Sequence, residues 1–330
     1  MQYKLLMYRN IACGQPRKMF ETPHPEAKQR PPQRPMGKND AMNQLSQRWA
    51  WAIPSLFVIL WSTGYIGAKL GLPYVEPMTF LCLRFLFVIA LLLPLCWLGR
   101  APWPSPAQAW HAAFAGTLIQ GGYLGGVFYS IHLGIPIGVS ALIVGMQPIL
   151  TAILGARMLG ERTNLRQWLG LALGVVGVAL VVREKTALEG LTMAAVMMSV
   201  VALVSITVGT IWQKRHCAAI DLRTGSAIQF IAALVVVAPF ALLFESNEIR
   251  WSGELVLALA WLVLVLSLGA VFLLFWLIRH GAATRVVSLM YLVPPCAALI
   301  AWPLFGEVYT VFSAAGMALA ALAVWLVTKG

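Results

Sequence analysis

About ten long apolar runs, separated only by short polar segments, constrain this chain more than any other feature. A run of roughly 18 or more apolar residues can cross a bilayer as a helix. The runs are continuously apolar rather than alternating, which argues against a β-barrel. With 60% hydrophobic and 11% charged residues, no polar stretch is long enough for a soluble domain. The sequence therefore predicts an all-α membrane protein with ten transmembrane helices.

The chain divides into a polar tail and two groups of five predicted spans. We expect a basic, disordered tail over 1–48, where Met36 and Met42 are alternative start sites, because its residues are polar, charged and proline-containing. A first repeat over 49–185 holds spans one to five, and a second over 186–330 holds spans six to ten. The predicted spans cover residues 50–70, 77–98, 110–132, 138–158, 166–183, 191–212, 225–244, 254–278, 285–304 and 309–327.

The two halves carry the same pattern about 146 residues apart: a proline within a span, followed by a Gly-Glu pair. Pro148 precedes Gly160-Glu161, and Pro294 precedes Gly306-Glu307, by the same spacing. Five spans separate equivalent positions, so the second half must be inverted relative to the first, as in many transporters. Three further pairs of fragments match: Arg84-Phe85 with Gln229-Phe230, Pro94 with Pro239, and Leu124-Gly-Gly-Val-Phe128 with Leu268-Gly-Ala-Val-Phe272.

The distribution of basic residues predicts the orientation in the membrane. If the N-terminus is cytoplasmic, 19 of the 24 Lys and Arg residues fall on the cytoplasmic side, four fall outside, and Arg84 lies within a span. The positive-inside rule therefore places both termini in the cytoplasm of a multi-pass protein of the cell (inner) membrane. Topology thus explains the net charge of +12, and we expect no nucleic-acid partner.

Arg84 is the charged residue placed deep within a span, so it should face a bundle interior or an aqueous cavity. There it would contact an anionic group of a substrate or be satisfied by helix-end carbonyls. Pro148 and Pro294 predict either broken helices at the substrate site or tolerated kinks. The remaining expected cavity residues are polar or aromatic side chains at membrane depth: Trp61, Tyr65, Tyr123, Gln147, Gln229, Trp276 and Tyr291.

Several common kinds of chemistry have no signature in the chain. The sequence contains no phosphate-binding Gly-rich loop, no HExxH and no GxSxG. Its acids lie at span ends, so a buried acid for proton coupling is not evident. The scattered cysteines and histidines form no metal-binding pattern. We therefore expect neither an enzyme nor a cofactor or metal.

Small residues at four-residue spacing predict where helices touch. Gly122 and Gly126 are one such pair, and they would let two backbones approach closely. The contact could lie within the monomer or at a homodimer interface.

Together these features resemble the EamA type of the drug/metabolite transporter superfamily, over about residues 50–328. The resemblance rests on Trp61-Ser-Thr-Gly-Tyr-Ile-Gly-Ala-Lys69, on Arg84, and on the Pro148…Gly160-Glu161-Arg162 and Pro294…Gly306-Glu307 signatures. The long basic tail departs from the family's short N-terminus.

The resemblance implies ten helices, a central cavity between the halves, and export or exchange of small metabolites such as amino acids. We therefore expect a secondary transporter, exporting a small-molecule substrate across the bilayer by alternating access. The alternatives are a carrier for nucleotide sugars or drug-like compounds, a non-transporting membrane scaffold, and a membrane-embedded enzyme.

Overall fold

The computed structural model describes residues 38–159, 165–183, 192–270, 273, 292–307 and 309–328. Glu161, Trp276 and Tyr291, three residues singled out by the sequence, lie outside the described residues. The chain divides into two units, Met1–Leu45 and Ser46–Gly330. The first is described only from residue 38 onward, as part of a helix. All features below belong to the second unit unless stated otherwise.

The described residues form fourteen helical elements, which together occupy the places of the ten predicted spans. The elements are α1 (Lys38–Gly71), α2 (Pro77–Leu98), α3 (Pro106–Gly116), the π-helical segment π1 (Thr117–Tyr123), α4 (Leu124–His132), α5 (Ile137–Val144), α6 (Gln147–Leu159), α7 (Leu165–Arg183), α8 (Met193–His216), α9 (Leu222–Phe244), α10 (Gly253–Ala260), the π-helical segment π2 (Trp261–Ala270), α11 (Val293–Phe305) and α12 (Val311–Thr328). Span three is α3, π1 and α4 in succession, span four is α5 with α6, and span eight begins with α10 and π2.

The predicted all-α membrane class is confirmed. Four segments are long and apolar enough to cross a membrane by length and composition: Pro77–Leu98, Ile137–Leu154, Met193–His216 and Leu222–Phe244. Shorter apolar helices occupy Trp168–Leu180, Gly253–Gly269, Val293–Phe305 and Val311–Ala323. In the described ranges, extended pairing is limited to one isolated bridge, between Val75 and Ile249.

The first helix begins earlier than the sequence analysis predicted. Helix α1 starts at Lys38, so residues 38–48, assigned above to the disordered tail, are helical. No proline lies between Pro35 and Pro54, and Ala, Met, Gln, Leu and Lys in this stretch are good helix formers. The composition correctly identifies a polar segment but places the helix start too late.

Local sequence explains where several other helices begin. Ser105 caps α3 in a capping box with Gln108, in which each side chain accepts from the other's backbone N–H. The Asp221 carboxylate accepts from the Arg223 N–H at the start of α9. The Ser252 hydroxyl accepts from the Leu255 N–H at the start of α10. These caps satisfy donors that a helix start leaves free.

The proline in span four breaks the helix. Pro148 has no N–H to donate to the carbonyl of Val144, and its ring would clash with that carbonyl in a continuous helix. Helix α5 accordingly ends at Val144, and α6 begins at Gln147. The structure thus favours a broken helix over a tolerated kink at this position.

Equivalent helices of the two repeats pack against each other in opposite directions. The Glu245 carboxylate at the end of α9 accepts from the N–H of Thr79 in the first turn of α2, at 2.7 Å. At the other end, the Thr224 hydroxyl in the first turn of α9 donates to the carbonyl of Pro102, just after α2, at 3.0 Å. Helices α2 and α9 are therefore antiparallel. This is the inverted repeat that the sequence predicted.

One face of α2 lies in the protein interior and the other is exposed. Arg84, Phe85 and Val88 are buried, whereas Leu86 and Phe87 are about half exposed. Both faces are apolar apart from Arg84, because a membrane helix is surrounded by lipid rather than water. The exposed apolar side chains fit the predicted contact with the bilayer.

Glycine brings α8 close to span three. A Cβ atom at Gly126 would lie 2.6 Å from the carbonyl oxygen of Met198, and one at Gly122 would lie 2.6 Å from the hydroxyl oxygen of Ser205. Both glycines therefore pack helices within the monomer, which is one of the two roles proposed for this pair from the sequence.

Candidate functional site

The two π-helical segments occupy equivalent positions in the two repeats. Segment π1 begins at Thr117 and π2 at Trp261, the same register that aligns Leu124 with Leu268. π-Helical turns are rare and are frequently found at functional sites. Their occurrence at matching places in both halves therefore marks the region between them as the candidate site.

Arg84 is buried against π2. It keeps 7% of its surface exposed, and its Nε and Nη2 groups donate to the hydroxyl oxygen of Ser267 at 3.3 and 3.1 Å. That hydroxyl donates in turn to the carbonyl oxygen of Leu262, five residues earlier, at 2.9 Å. The predicted interior position of Arg84 is thus observed. The Ser267 hydroxyl links Arg84 of the first repeat to π2 of the second.

Aromatic side chains from α1 and π1 complete this polar centre. Tyr65 is 4% exposed and Tyr123 is 7% exposed, and their hydroxyl groups lie close enough to interact. The Trp61 side chain also interacts with Tyr123, and the charge of Arg84 acts on the Tyr123 phenol. Four of the predicted cavity residues are therefore brought together with Ser267, and we call these five residues the Arg84 cluster.

Gln147 and Gln229, also predicted from the sequence, contact other elements. The Gln147 amide donates to the Thr210 hydroxyl of α8 at 3.4 Å, a long bond. Gln229 is buried, and a Cβ at Gly116 of α3 would lie 2.3 Å from its Cα. Thus Gln147 contacts α8, and Gln229 lies on α9 where α3 approaches most closely.

The two proline sites adjoin each other. A Cβ at Gly145, in the break of span four, would lie 2.9 Å from Cγ of Pro294 in the first turn of α11. The Ser62 hydroxyl of α1 donates to the neighbouring carbonyl of Val293 at 3.4 Å and to that of Val58 at 2.8 Å. Pro294 therefore lies at the junction of spans one, four and nine, and Pro148 follows Gly145 by three residues in the chain.

A second polar group lies at the end of the bundle where α1 stops and α2 begins. We call this end the α1/α2 end. Glu307 is 8% exposed, and both of its carboxylate oxygens accept from the N–H of Ile137 at 3.0 Å. The ammonium of Lys69 and the hydroxyl of Tyr309 also donate to this carboxylate. Gly138 N–H donates to the Tyr309 oxygen at 3.3 Å. These residues, the Lys69–Glu307 cluster, join spans one and four to the segment after span nine.

The contacts around Lys69 and Glu307 have clear physical causes. Ile137 begins α5, where free N–H groups and the helix dipole favour an anion. Lys69 lies in the last turn of α1, where the dipole favours a cation, and its ammonium lies 5.0 Å from the ring centre of Phe305. The cluster is therefore a neutral, well-bonded ion pair rather than an isolated buried charge.

At the opposite end of the bundle, two histidines stack together. The rings of His111 on α3 and His216 on α8 are 4.5 Å apart, and Trp212 lies 4.2 Å from His216. The described residues hold no group of three or more potential metal ligands. These aromatic rings pack α3 against α8.

Two features escaped the sequence analysis. Ser267 was not singled out, although the repeat carries a signal for it: in the register of Leu124 with Leu268, Ser267 is equivalent to Tyr123. Glu307 was placed at a span end, where no buried acid was expected, yet it is buried. The span-end position is correct, but its burial depends on the ion pair, which no spacing reveals.

A polar centre between two inverted helical repeats is typical of many membrane transporters. A profile of the EamA-like transporter family matches residues 49–183 and 193–329. The chain therefore belongs to that family, as the resemblance indicated.

Several relatives are similar over most of their length. The uncharacterized inner membrane transporter YedA of Escherichia coli (strain K12) is 25% identical over 272 residues, covering 82% of this chain and 88% of the relative. A Salmonella typhimurium protein named "Probable amino-acid metabolite efflux pump" is 26% identical over 273 residues, covering 80% and 89%. A solved crystal structure shares the fold with a TM-score of 0.58 and 20% identity, covering 84% of this chain and 96% of its own.

Proposed function

We propose that this protein exports a small metabolite, such as an amino acid, across the inner membrane by alternating access between its two repeats. The Arg84 cluster carries this proposal, because it lies at the matching π-helical segments and combines side chains from both halves. A site shared by two inverted repeats can face either side of the membrane when one repeat rocks against the other.

The Lys69–Glu307 cluster supports the alternating part of the proposal. The distribution of basic residues places the α1/α2 end outside the cytoplasm. The cluster holds that end together across spans one, four and nine. We infer that the outer side is closed in this conformation, and that export requires these contacts to separate.

The comparisons and the polar centre support the proposed direction and substrate class. The Salmonella typhimurium relative is named for efflux of amino-acid metabolites, and Trp61, Tyr65 and Tyr123 place aromatic rings with polar groups beside Arg84. Aromatic rings with one polar group suit amphipathic ligands. We therefore propose Trp61, Tyr65, Arg84 and Tyr123 as substrate contacts.

The test is counterflow in proteoliposomes containing the purified chain. A pooled panel of labelled amino acids and related metabolites is offered with and without a pH gradient. Saturable counterflow of one class is the expected result, and its response to the gradient reports coupling to protons. If folded protein gives no flux with any compound, the transport proposal fails.

A further inference from the structure

Arg84 is a buried cation that lacks a buried counter-charge among the described residues. Its guanidinium donates to a neutral hydroxyl, at 3.1 and 3.3 Å from the oxygen of Ser267. Charge-assisted bonds from a guanidinium to a carboxylate are shorter, about 2.7–2.9 Å. The hydroxyl therefore satisfies the donors in part and leaves the charge uncompensated.

The described acids do not supply the missing charge. Glu254, the first residue of predicted span eight, is the one Asp or Glu that lies within a predicted span. In the described ranges above residue 45, the acids lie at helix ends or in loops, and all but Glu248 accept a hydrogen bond from a group far from Arg84. The six are Glu76, Asp221, Glu245, Glu248, Glu254 and Glu307. The positive charge at the candidate site is therefore unopposed.

The geometry around Arg84 fits a carboxylate. Nε and Nη2 form one edge of the guanidinium, and both donate to the single oxygen of Ser267. This is the edge on which a carboxylate binds with two parallel hydrogen bonds, one to each oxygen. The hydroxyls of Tyr65 and Tyr123 and the indole N–H of Trp61 are further potential donors beside it.

We propose, resting on the transport function above, that the preferred substrate is an organic acid anion whose carboxylate replaces Ser267 on Arg84. A monoanion neutralises the site. An amino-acid zwitterion brings an ammonium for which this site offers no carboxylate, so the net positive charge remains. An amine without a carboxylate adds a second positive charge to the first. The site therefore ranks matched compounds in the order anion, zwitterion, amine.

The test uses two series of matched compounds at neutral pH: phenylpropanoate, phenylalanine and phenethylamine, and isocaproate, leucine and isoamylamine. Binding to the purified chain is measured by ligand-dependent thermal stabilisation, and transport by counterflow in proteoliposomes. Two positive charges placed side by side in a buried site repel each other. We therefore expect the anion to bind at least about 30-fold more tightly than the amine. Arg84→Gln should abolish this preference.

One variant controls for net charge, and another tests the competing hydroxyl. Lys214→Gln removes one charge at an exposed site on α8 and should leave the ranking unchanged. Ser267→Ala removes the competing hydroxyl and should tighten anion binding about fivefold.

The outcomes separate this inference from the transport proposal. Counterflow with equal binding of anion and amine, or an unchanged ranking in Arg84→Gln, overturns the inference and leaves transport standing. Anion binding that depends on Arg84 without any counterflow supports the carboxylate site and removes the transport proposal. If Arg84→Gln does not fold, weaker anion binding in Ser267→Ala overturns the inference. A folded protein that binds neither acid contradicts it as well.

Discussion

Replacing Glu307 with glutamine should open the α1/α2 end of the bundle. The substitution keeps the side-chain shape but removes the charge that Lys69, Tyr309 and the Ile137 N–H contact. Hydrogen bonds to charged groups contribute about 1.5–3 kcal/mol each. The Lys69 side chain is 30% exposed and can regain water, whereas that of Glu307 is 6% exposed. We therefore expect a net loss of about 2 kcal/mol, or about a 30-fold shift toward separation of this end.

Hydrogen exchange measures this shift directly. The Ile137 N–H donates to Glu307, so its exchange requires the cluster to separate. Exchange of the Ile137 N–H, resolved by mass spectrometry on overlapping peptides within residues 133–144, should be about 30-fold faster in Glu307→Gln, because exchange rates follow the opening equilibrium. The rest of α5, beyond its first turn, should change much less.

A matched control distinguishes the cluster from a general charge effect. Glu254→Gln removes a carboxylate that accepts from the Tyr74 hydroxyl at an exposed position. Exposed pairs contribute little, so exchange at Ile137 should be unchanged in this variant. Wild-type exchange at Ile137 in folded Glu307→Gln protein would refute the assignment of Glu307 to the closure.

Two further predictions concern pH and packing. The Ser246 hydroxyl and N–H donate to the Glu76 carboxylate and hold its pKa below the usual range. The ionised carboxylate therefore stabilises the fold at pH values above its ordinary pKa. This stabilisation is lost as the pH falls through the lowered pKa. Ser246→Ala should therefore lower the thermal midpoint at neutral pH and have a smaller effect in acid; equal effects at both pH values would contradict this. Gly126→Ala places a Cβ 2.6 Å from the carbonyl oxygen of Met198 and should cost about 1–3 kcal/mol of stability, seen as a lower thermal midpoint. Gly253→Ala is the control because its Cβ would meet nothing within 4 Å, and equal midpoints in the two variants would contradict the packing argument.

The sequence predicts the helices and the inverted repeat because both depend on local patterns, the apolar runs and the repeated fragments. An apolar run of sufficient length forms a membrane helix almost irrespective of its neighbours, since no other structure satisfies its backbone in lipid. The break in span four follows from Pro148 alone, through a missing donor and a local clash. Arg84 could be placed in the interior because a charge facing lipid is costly.

The partners of these residues could not be read from the sequence in the same way. The bond from Arg84 to Ser267 depends on the π-helical geometry of π2. No residue pattern in span eight predicts this geometry. The pairing of Lys69 with Glu307 joins residues 238 positions apart. Such contacts depend on how the two repeats pack. The start of α1 was predicted too late because helix propensity in a polar segment is a weak local signal.

Phe85 and Phe230, equivalent in the two repeats, meet with their ring centres 5.6 Å apart where α2 crosses α9. Two equivalent residues in contact lie beside the approximate two-fold axis of the molecule. The proposed alternating access requires the two repeats to rock about this axis, and atoms near an axis of rotation move least. We therefore expect the distance between these two rings to change little between the two states.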